Sequence, residues 1–433
     1  MDFEIPSDVK LIIDILHKNG FEAYAVGGCV RDTLLNRVPN DWDITTSALP
    51  TEVKALFRKT VDTGLKHGTI TVIIHGTGYE VTTYRIDGEY NDCRHPESVT
   101  FTANLAEDLR RRDFTINAFV YSEESGVIDL FDGISDLSSK IIRCVGNPHE
   151  RFSEDALRIL RAVRFAAQLG FIIDSGTEKA ASELAPNLAK VSAERIHAEL
   201  EKLLVSANPD YIIKTHALGI DLYTLPSFAE SMANASVKEF DSLSTALRSS
   251  LPDKYVRWSV LLSFITSDNS DAVSAAEQIM RALKTDNCTI GYIKKFISLR
   301  DFDFTDADDY SLRKLLNRLG EHDYRLYIDF MKSQMCLNTG DALHNGHHVD
   351  GQVADTEVIL RRIEEIVNRG DCTSVSGLTV NGRTLIAAGF PQGKCLGTIL
   401  EALLEHVLKD PSLNSPDILI SMADKEFKKI QMF

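Results

Sequence analysis

The sequence predicts an α+β multidomain chain, with an α/β head followed by an all-α remainder. Three observations point there. Strand-like runs rich in β-branched residues, at 23–26, 69–74, 79–86 and 118–121, lie between turn-rich flanks within about the first 148 residues. From 191 onward the periodicity is almost entirely helical. A length of 433 residues, 44% of them hydrophobic, is enough for two to four domains with sizeable cores.

Residues 8–19 (DVKLIIDILHKN) read as an amphipathic helix ended by Gly20. The apolar run 23–26 then leads into Gly27 and Gly28. Two glycines there let backbone N–H groups approach an anion, because no Cβ stands in the way. Arg31 and Asp32 open a short helix, 31–35. Asp41 and Asp43 flank Trp42, and in an extended segment residues two apart share a face. Adjacent carboxylates repel unless a cation joins them, and Mg²⁺ takes oxygen ligands and shares its shell with substrate phosphates. Alone, Gly-Gly is a turn and Asp-x-Asp a solvated loop. Together, after a strand, they suit phosphoryl or nucleotidyl transfer.

Lys66-His67-Gly68 forms a turn before the second strand. Glu80 is either a third carboxylate or a surface strand residue. Residues 85–101, with few apolar side chains and several turn formers, read as a loop. Residues 107–119 contain Arg110, Arg111 and Arg112, which alone would be a solvated face. Asp132-Gly133 makes a good turn.

Residues 153–168 (SEDALRILRAVRFAAQ) read as one helix, N-capped by Ser153 and ended by Gly170. Apolar side chains surround most of it, so it is largely buried. Arg158, Arg161 and Arg164 spiral slowly along it, in a ladder about 13 Å long from Asp155 to Arg164. Buried arginines need partners. Glu154 can serve Arg158, while a polyanionic ligand such as a nucleoside triphosphate could serve the others. Asp155 and Arg158 would lie side by side, one accepting hydrogen bonds and one donating them. Cytosine and adenine show an amino donor beside a bare ring nitrogen, whereas guanine and uracil show the reverse. One Asp–Arg pair can therefore take C and A and reject G and U.

GGCVRD followed by DWDIT, RRDFTINA at 111–118 and EDALR at 154–158 resemble the motifs of the polymerase-β nucleotidyltransferase superfamily. They are most similar to the class II tRNA nucleotidyltransferases, the CCA-adding enzymes. The stretch before the second strand departs from the more basic sequence of bacterial poly(A) polymerases. The resemblance implies a nucleotidyltransferase head (1–148), a helical neck that recognises the nucleotide (149–205), a helical body (206–335) and a tRNA-binding tail (336–433). It implies addition of C, C and A to tRNA from CTP and ATP. Asp41 and Asp43 would hold two Mg²⁺ ions, one acidifying the primer 3′-hydroxyl and one steadying pyrophosphate. Gly28 and Arg31 would meet the triphosphate, Asp155 and Arg158 would read the base, and Arg112, Arg161 and Arg164 would complete the nucleotide site. A full-length loop at 85–101 is the family's mark of complete CCA addition. Residues 191–204, N-capped by Ser192, match the motif that braces the preceding helix, with Arg195 and Glu199 structural. A partial enzyme adding only CC or A, a poly(A) polymerase, and a silent RNA-binding scaffold remain as alternatives.

A net charge of −16 is unusual for a nucleic-acid binder, so any RNA surface must be a local basic patch. The N-terminal residues show no signal-peptide pattern, and no apolar run approaches the ~18 residues that span a bilayer. Seven scattered cysteines without a CxxC pair suit reduced thiols in the cytoplasm, with no protein partner expected. The histidines at 344–348 read as a polar loop, and His322-Asp323 lacks the partners of a phosphohydrolase site. Residues 378–408 place Gly393-Lys394 before a helix, either to meet RNA phosphates or as a helix-turn-helix core.

Overall fold

Short β-branched runs and the turns between them build the head. The computed structural model describes residues 3–88, 98–305, 307–320, 323–338 and 349–430. The chain divides into two compact units, Met1–Asn234 and Ala235–Phe433.

In the first unit, helix α1 (Ser7–Lys18) buries Val9, Ile12, Ile13 and Leu16, one stripe at helical spacing. It precedes β1 (Ala23–Val26), α2 (Gly28–Leu34), β2 (Asp43–Thr46) and α3 (Pro50–Leu56). Then come β3 (Thr60–Gly64), β4 (Thr69–Ile74), β5 (Thr77–Thr83), β6 (Arg85–Asp87) and β7 (Val99–Phe101). Helix α4 (Leu105–Arg110), β8 (Phe119–Ser122), β9 (Gly126–Asp129) and α5 (Gly133–Ser139) complete the head. Seven strands form one mixed sheet in the order β3-β4-β5-β2-β1-β8-β9. Only β2 and β5 run parallel in it; every other neighbouring pair is antiparallel. The expected strand 79–86 is divided: β5 belongs to the sheet, and β6 pairs with β7 in a separate ribbon. The centre of the expected 85–101 loop, 89–97, lies outside the described residues.

Gly133 is required where α5 begins, because a Cβ there would lie 2.3 Å from the Thr115 carbonyl oxygen. Asp129 accepts the N–H groups of Phe131, Gly133 and Ile134 and so fixes the turn ahead of α5.

The helix expected over 153–168 is two helices. Helix α6 (Pro148–Glu154) is capped by Asn147, whose side chain accepts from His149, with proline in the first turn. Ser153 is therefore inside a helix, not at its start. Asp155 leaves helical geometry (φ −137°, ψ 102°) and accepts the Leu157 N–H, opening α7 (Leu157–Leu169), which ends at left-handed Gly170. Helix α8 (Ser175–Leu184) and α9 (Ala193–Leu204) follow. Ser192 sits at the N-cap of α9 without a side-chain cap bond.

The second unit is helical, with no strand among its described residues. Trp258, Phe296, Tyr327 and Phe330 are fully buried, and the last three rings pack against one another. Toward the C-terminus, Leu385, Ile399, Leu403, Val407 and Leu419 form a second apolar cluster. Buried Arg313 ties it down, donating to Asp371 at 2.8 Å and to the Leu408 carbonyl at 2.6 Å. Helix Cys395–Lys409 does follow Gly393-Lys394. The histidines at 344–348 and His322 lie outside the described residues.

Candidate active site

Asp43 begins β2, where its neighbours are Val26 on β1 and Glu80 on β5. Registered partners point to the same face, so Glu80 stands beside Asp43. Asp41 lies two residues earlier, exposed and outside the sheet. Asp43 keeps an edge open to solvent, but the strands displace enough water that desolvation is the strongest influence on it. That desolvation, then the Glu80 and Asp41 charges, raise its carboxyl above the usual range against the pull of Arg112. Hard oxygen donors with unfavourable like charge fit a divalent cation. Among the described residues, no three His, Cys, Asp or Glu side chains are grouped so that they could hold a metal ion by themselves. Mg²⁺ suits such an open arrangement, since it keeps waters and substrate oxygens in its shell.

Gly27 has a left-handed backbone (φ +82°), and a Cβ there would lie 3.1 Å from an Arg112 Nη1. The missing side chain is the space in which Arg112 lies. Burial lowers the Arg112 guanidinium pKa, with Asp108 opposing, and Arg112 Nε has no hydrogen-bond partner. Asp108 also holds Arg111, at 2.7 Å.

Gly28 is the first residue of α2, and Arg31 is on the same short helix. Arg31 is buried; it pairs with Asp32 at 2.8 Å and donates to Asn117 Oδ1 at 2.7 Å. Asn117 donates to Asp113 Oδ1 at 3.2 Å, and Asp113 Oδ2 accepts from Arg161 at 2.9 and 2.5 Å. Burial would raise the Asp113 carboxyl, but Arg161 and the hydrogen bonds around it hold it well below the usual range. Arg164 pairs with Glu199 at 2.5 Å and donates to Gln168 at 2.8 Å. Burial pulls the Arg164 guanidinium pKa down to about 10 despite Glu199. Arg31, Arg161 and Arg164 all lie over the Phe165 ring, 5.2, 5.2 and 3.6 Å from its centroid.

The expected side-by-side placement of Asp155 and Arg158 on one helix is corrected by the break between α6 and α7. Asp155 accepts from Arg195 at 2.8 Å. Arg158 donates to Glu154 at 2.5 Å and to the carbonyls of Arg151 and Arg111 at 3.0 and 2.8 Å. The sequence offered a polyanionic ligand as a partner for Arg161 and Arg164; in the structure Asp113 and Glu199 serve them. Glu199 of α9 pairs with Arg164 of α7, and Arg195 pairs with Asp155 at the break ahead of α7, in keeping with the structural role expected of both. Sequence reasoning missed Asp113 and Asn117, although both lie within the RRDFTINA stretch. No helix among the described residues is long and apolar enough to cross a membrane.

The description "Poly A polymerase head domain" matches residues 23–143, and "Probable RNA and SrmB- binding site of polymerase A" matches 170–230. The CCA-adding enzyme of Limosilactobacillus reuteri is 37% identical over 423 residues, covering 96% of each chain. That of Leuconostoc mesenteroides is 35% identical over 425 residues, covering 97% of this chain and 96% of its own. The crystal structure of the Bacillus stearothermophilus CCA-adding enzyme in complex with CTP is 29% identical. It superposes with a TM-score of 0.75 over 99% of this chain and 100% of that one. The Thermotoga maritima CCA-adding enzyme complexed with tRNA shares the fold, at 20% identity and a TM-score of 0.60 over 99% of this chain and 97% of its own. Identity of this level along nearly the whole length, on a matching fold, places the chain in the family of CCA-adding enzymes, which are tRNA nucleotidyltransferases.

Proposed function

We propose that the protein adds C, C and A to the 3′ end of tRNA, taking CTP and ATP and releasing pyrophosphate, with Mg²⁺ as cofactor. The observation that carries this reading is Asp43 fixed in the sheet with Glu80 and Asp41 as like-charged neighbours and Arg112 close by. Two divalent cations held by Asp41 and Asp43 would acidify the primer 3′-hydroxyl and steady the leaving pyrophosphate.

Asp43 sets one oxygen donor rigidly, and Asp41 supplies another from its loop. Glu80 adds negative charge beside Asp43. Gly28 and Arg31 receive the triphosphate at α2, while Arg112 balances the charge gathered near Asp43. Asp155 and Arg158 read the Watson–Crick edge, accepting from the amine and donating to the bare ring nitrogen. Arg161 and Arg164 complete that face. Cysteines 29, 144, 288, 336, 372 and 395 are free thiols, which supports a reducing cytoplasm.

The test is incubation of the purified chain with tRNA lacking CCA, Mg²⁺ and each labelled triphosphate, followed by sizing of the products. Three added nucleotides, only with CTP and ATP, are expected. Two, or one, would mark a partial enzyme; a long adenosine tail would mark a poly(A) polymerase; none would mark a silent scaffold.

A further inference from the structure

Arg31 and Arg161 are 130 positions apart in sequence, one on a head helix and one on a neck helix, yet a polar bridge joins them. Arg31 donates to Asn117 Oδ1 at 2.7 Å, Asn117 donates to Asp113 Oδ1 at 3.2 Å, and Asp113 Oδ2 accepts from Arg161. The donors and acceptors alternate correctly along the whole bridge: the amide accepts from a guanidinium through its oxygen and donates to a carboxylate through its nitrogen. Asn117 and Asp113 are 6% and 8% exposed, so neither is available as a general polar surface.

We propose that Asn117 and Asp113 are positioning residues that hold the triphosphate end and the base end of the nucleotide site in register. The inference rests on the function proposed above, in which Arg31 meets the triphosphate and Arg161 belongs to the base-reading face. Selection by a base edge works only if the rest of the nucleotide is held at a fixed distance from it. A misplacement of about 1 Å costs on the order of a hundredfold in rate. The sheet fixes the head and α9 braces the neck, but this bridge joins the arginines themselves. Phe165 offers a second route, because both guanidinium groups lie over its ring.

A double-mutant cycle separates the two routes. Arg31→Lys and Arg161→Lys are made singly and together, in the native background and in Asn117→Ala, and kcat/KM for CTP is measured on tRNA lacking CCA. With Asn117 present, the two changes should be non-additive by about fivefold or more, as expected of residues in one network. In Asn117→Ala they should become additive to within about twofold. Asn117→Asp, which keeps the shape and the Arg31 contact but sets a carboxylate against Asp113, guards against misfolding and should also remove the coupling. It should narrow the preference for CTP over UTP by roughly tenfold, a change that simple loss of stability does not produce. Coupling undiminished in both Asn117 variants would overturn the inference and assign the connection to Phe165. A native chain that transfers no nucleotide would refute the function, and the inference with it.

Discussion

Replacing Glu199 by alanine tests whether the protein itself holds the arginine face of α7. Glu199 is 4% exposed, and its carboxylate lies 2.5 Å from Arg164 Nε and 3.8 Å from Arg161 Nη1. Alanine leaves Arg164 with Gln168 and the Phe165 ring, and Arg161 with Asp113. Removing one partner of a buried ion pair costs about 3–5 kcal/mol, because the remaining charge stays desolvated. The retained contacts place Glu199→Ala at the lower end, about 3 kcal/mol. A cooperative unit of this size loses about 2–4 °C per kcal/mol, so its thermal midpoint should fall by roughly 6–12 °C. Glu199→Gln keeps the shape and one acceptor and should lose about half as much. Calorimetry on the full chain reads both. A shift under about 2 °C for alanine would refute the view that Glu199 carries these arginines.

Asp43→Asn should abolish nucleotide addition while circular dichroism stays unchanged; near-normal turnover with both CTP and ATP would remove Asp43 from the cation site. Arg158→Ala removes a charge-assisted donor worth about 1.5–3 kcal/mol, so correct incorporation should fall about ten- to a hundredfold while G and U enter more readily. Single-turnover rates with all four triphosphates decide it, and unchanged relative preferences would end the base-reading assignment. The Asp113 carboxyl is held below its usual range, so its ion pair with Arg161 stabilises the fold fully above the ordinary carboxylate value of about 3.9. That stability is lost as pH falls from there toward the folded value. Urea midpoints taken across acid pH should show Asp113→Asn less stable at neutrality, with a flatter acid limb.

The head was legible wherever a strand carried its own apolar pattern, as in β1 and β4. Strand β2 was not, because its four residues, Asp43–Thr46, begin with a charge, and their place between β1 and β5 is a long-range fact. Strand β3 has an exposed, polar pattern and draws its order from β4. The division of the 153–168 helix carries no Pro or Gly at the break, so Ser153, Glu154 and Asp155 resemble a first turn. The better signal lay upstream, where Asn147-Pro148 is a cap followed by a first-turn proline. The candidate site was legible as residue types and spacing. The partners of its arginines were not: Asp113 and Glu199 are 48 and 35 residues from the arginines they hold.

The engagement of Arg158, Arg161 and Arg164 by Glu154, Asp113 and Glu199 changes what it means for a nucleotide to bind there. In the function proposed above, a base reaching Arg158 would compete with Glu154 for its guanidinium. The base edge is neutral, so such a contact adds no ion pair, and its selectivity would rest on the pattern of donors and acceptors. Fit is what remains. A base with the wrong edge would make poor bonds, leaving Arg158 with Glu154. On that proposal an incoming nucleotide would compete against a resident rival that never diffuses away, and selectivity would be the difference between two affinities.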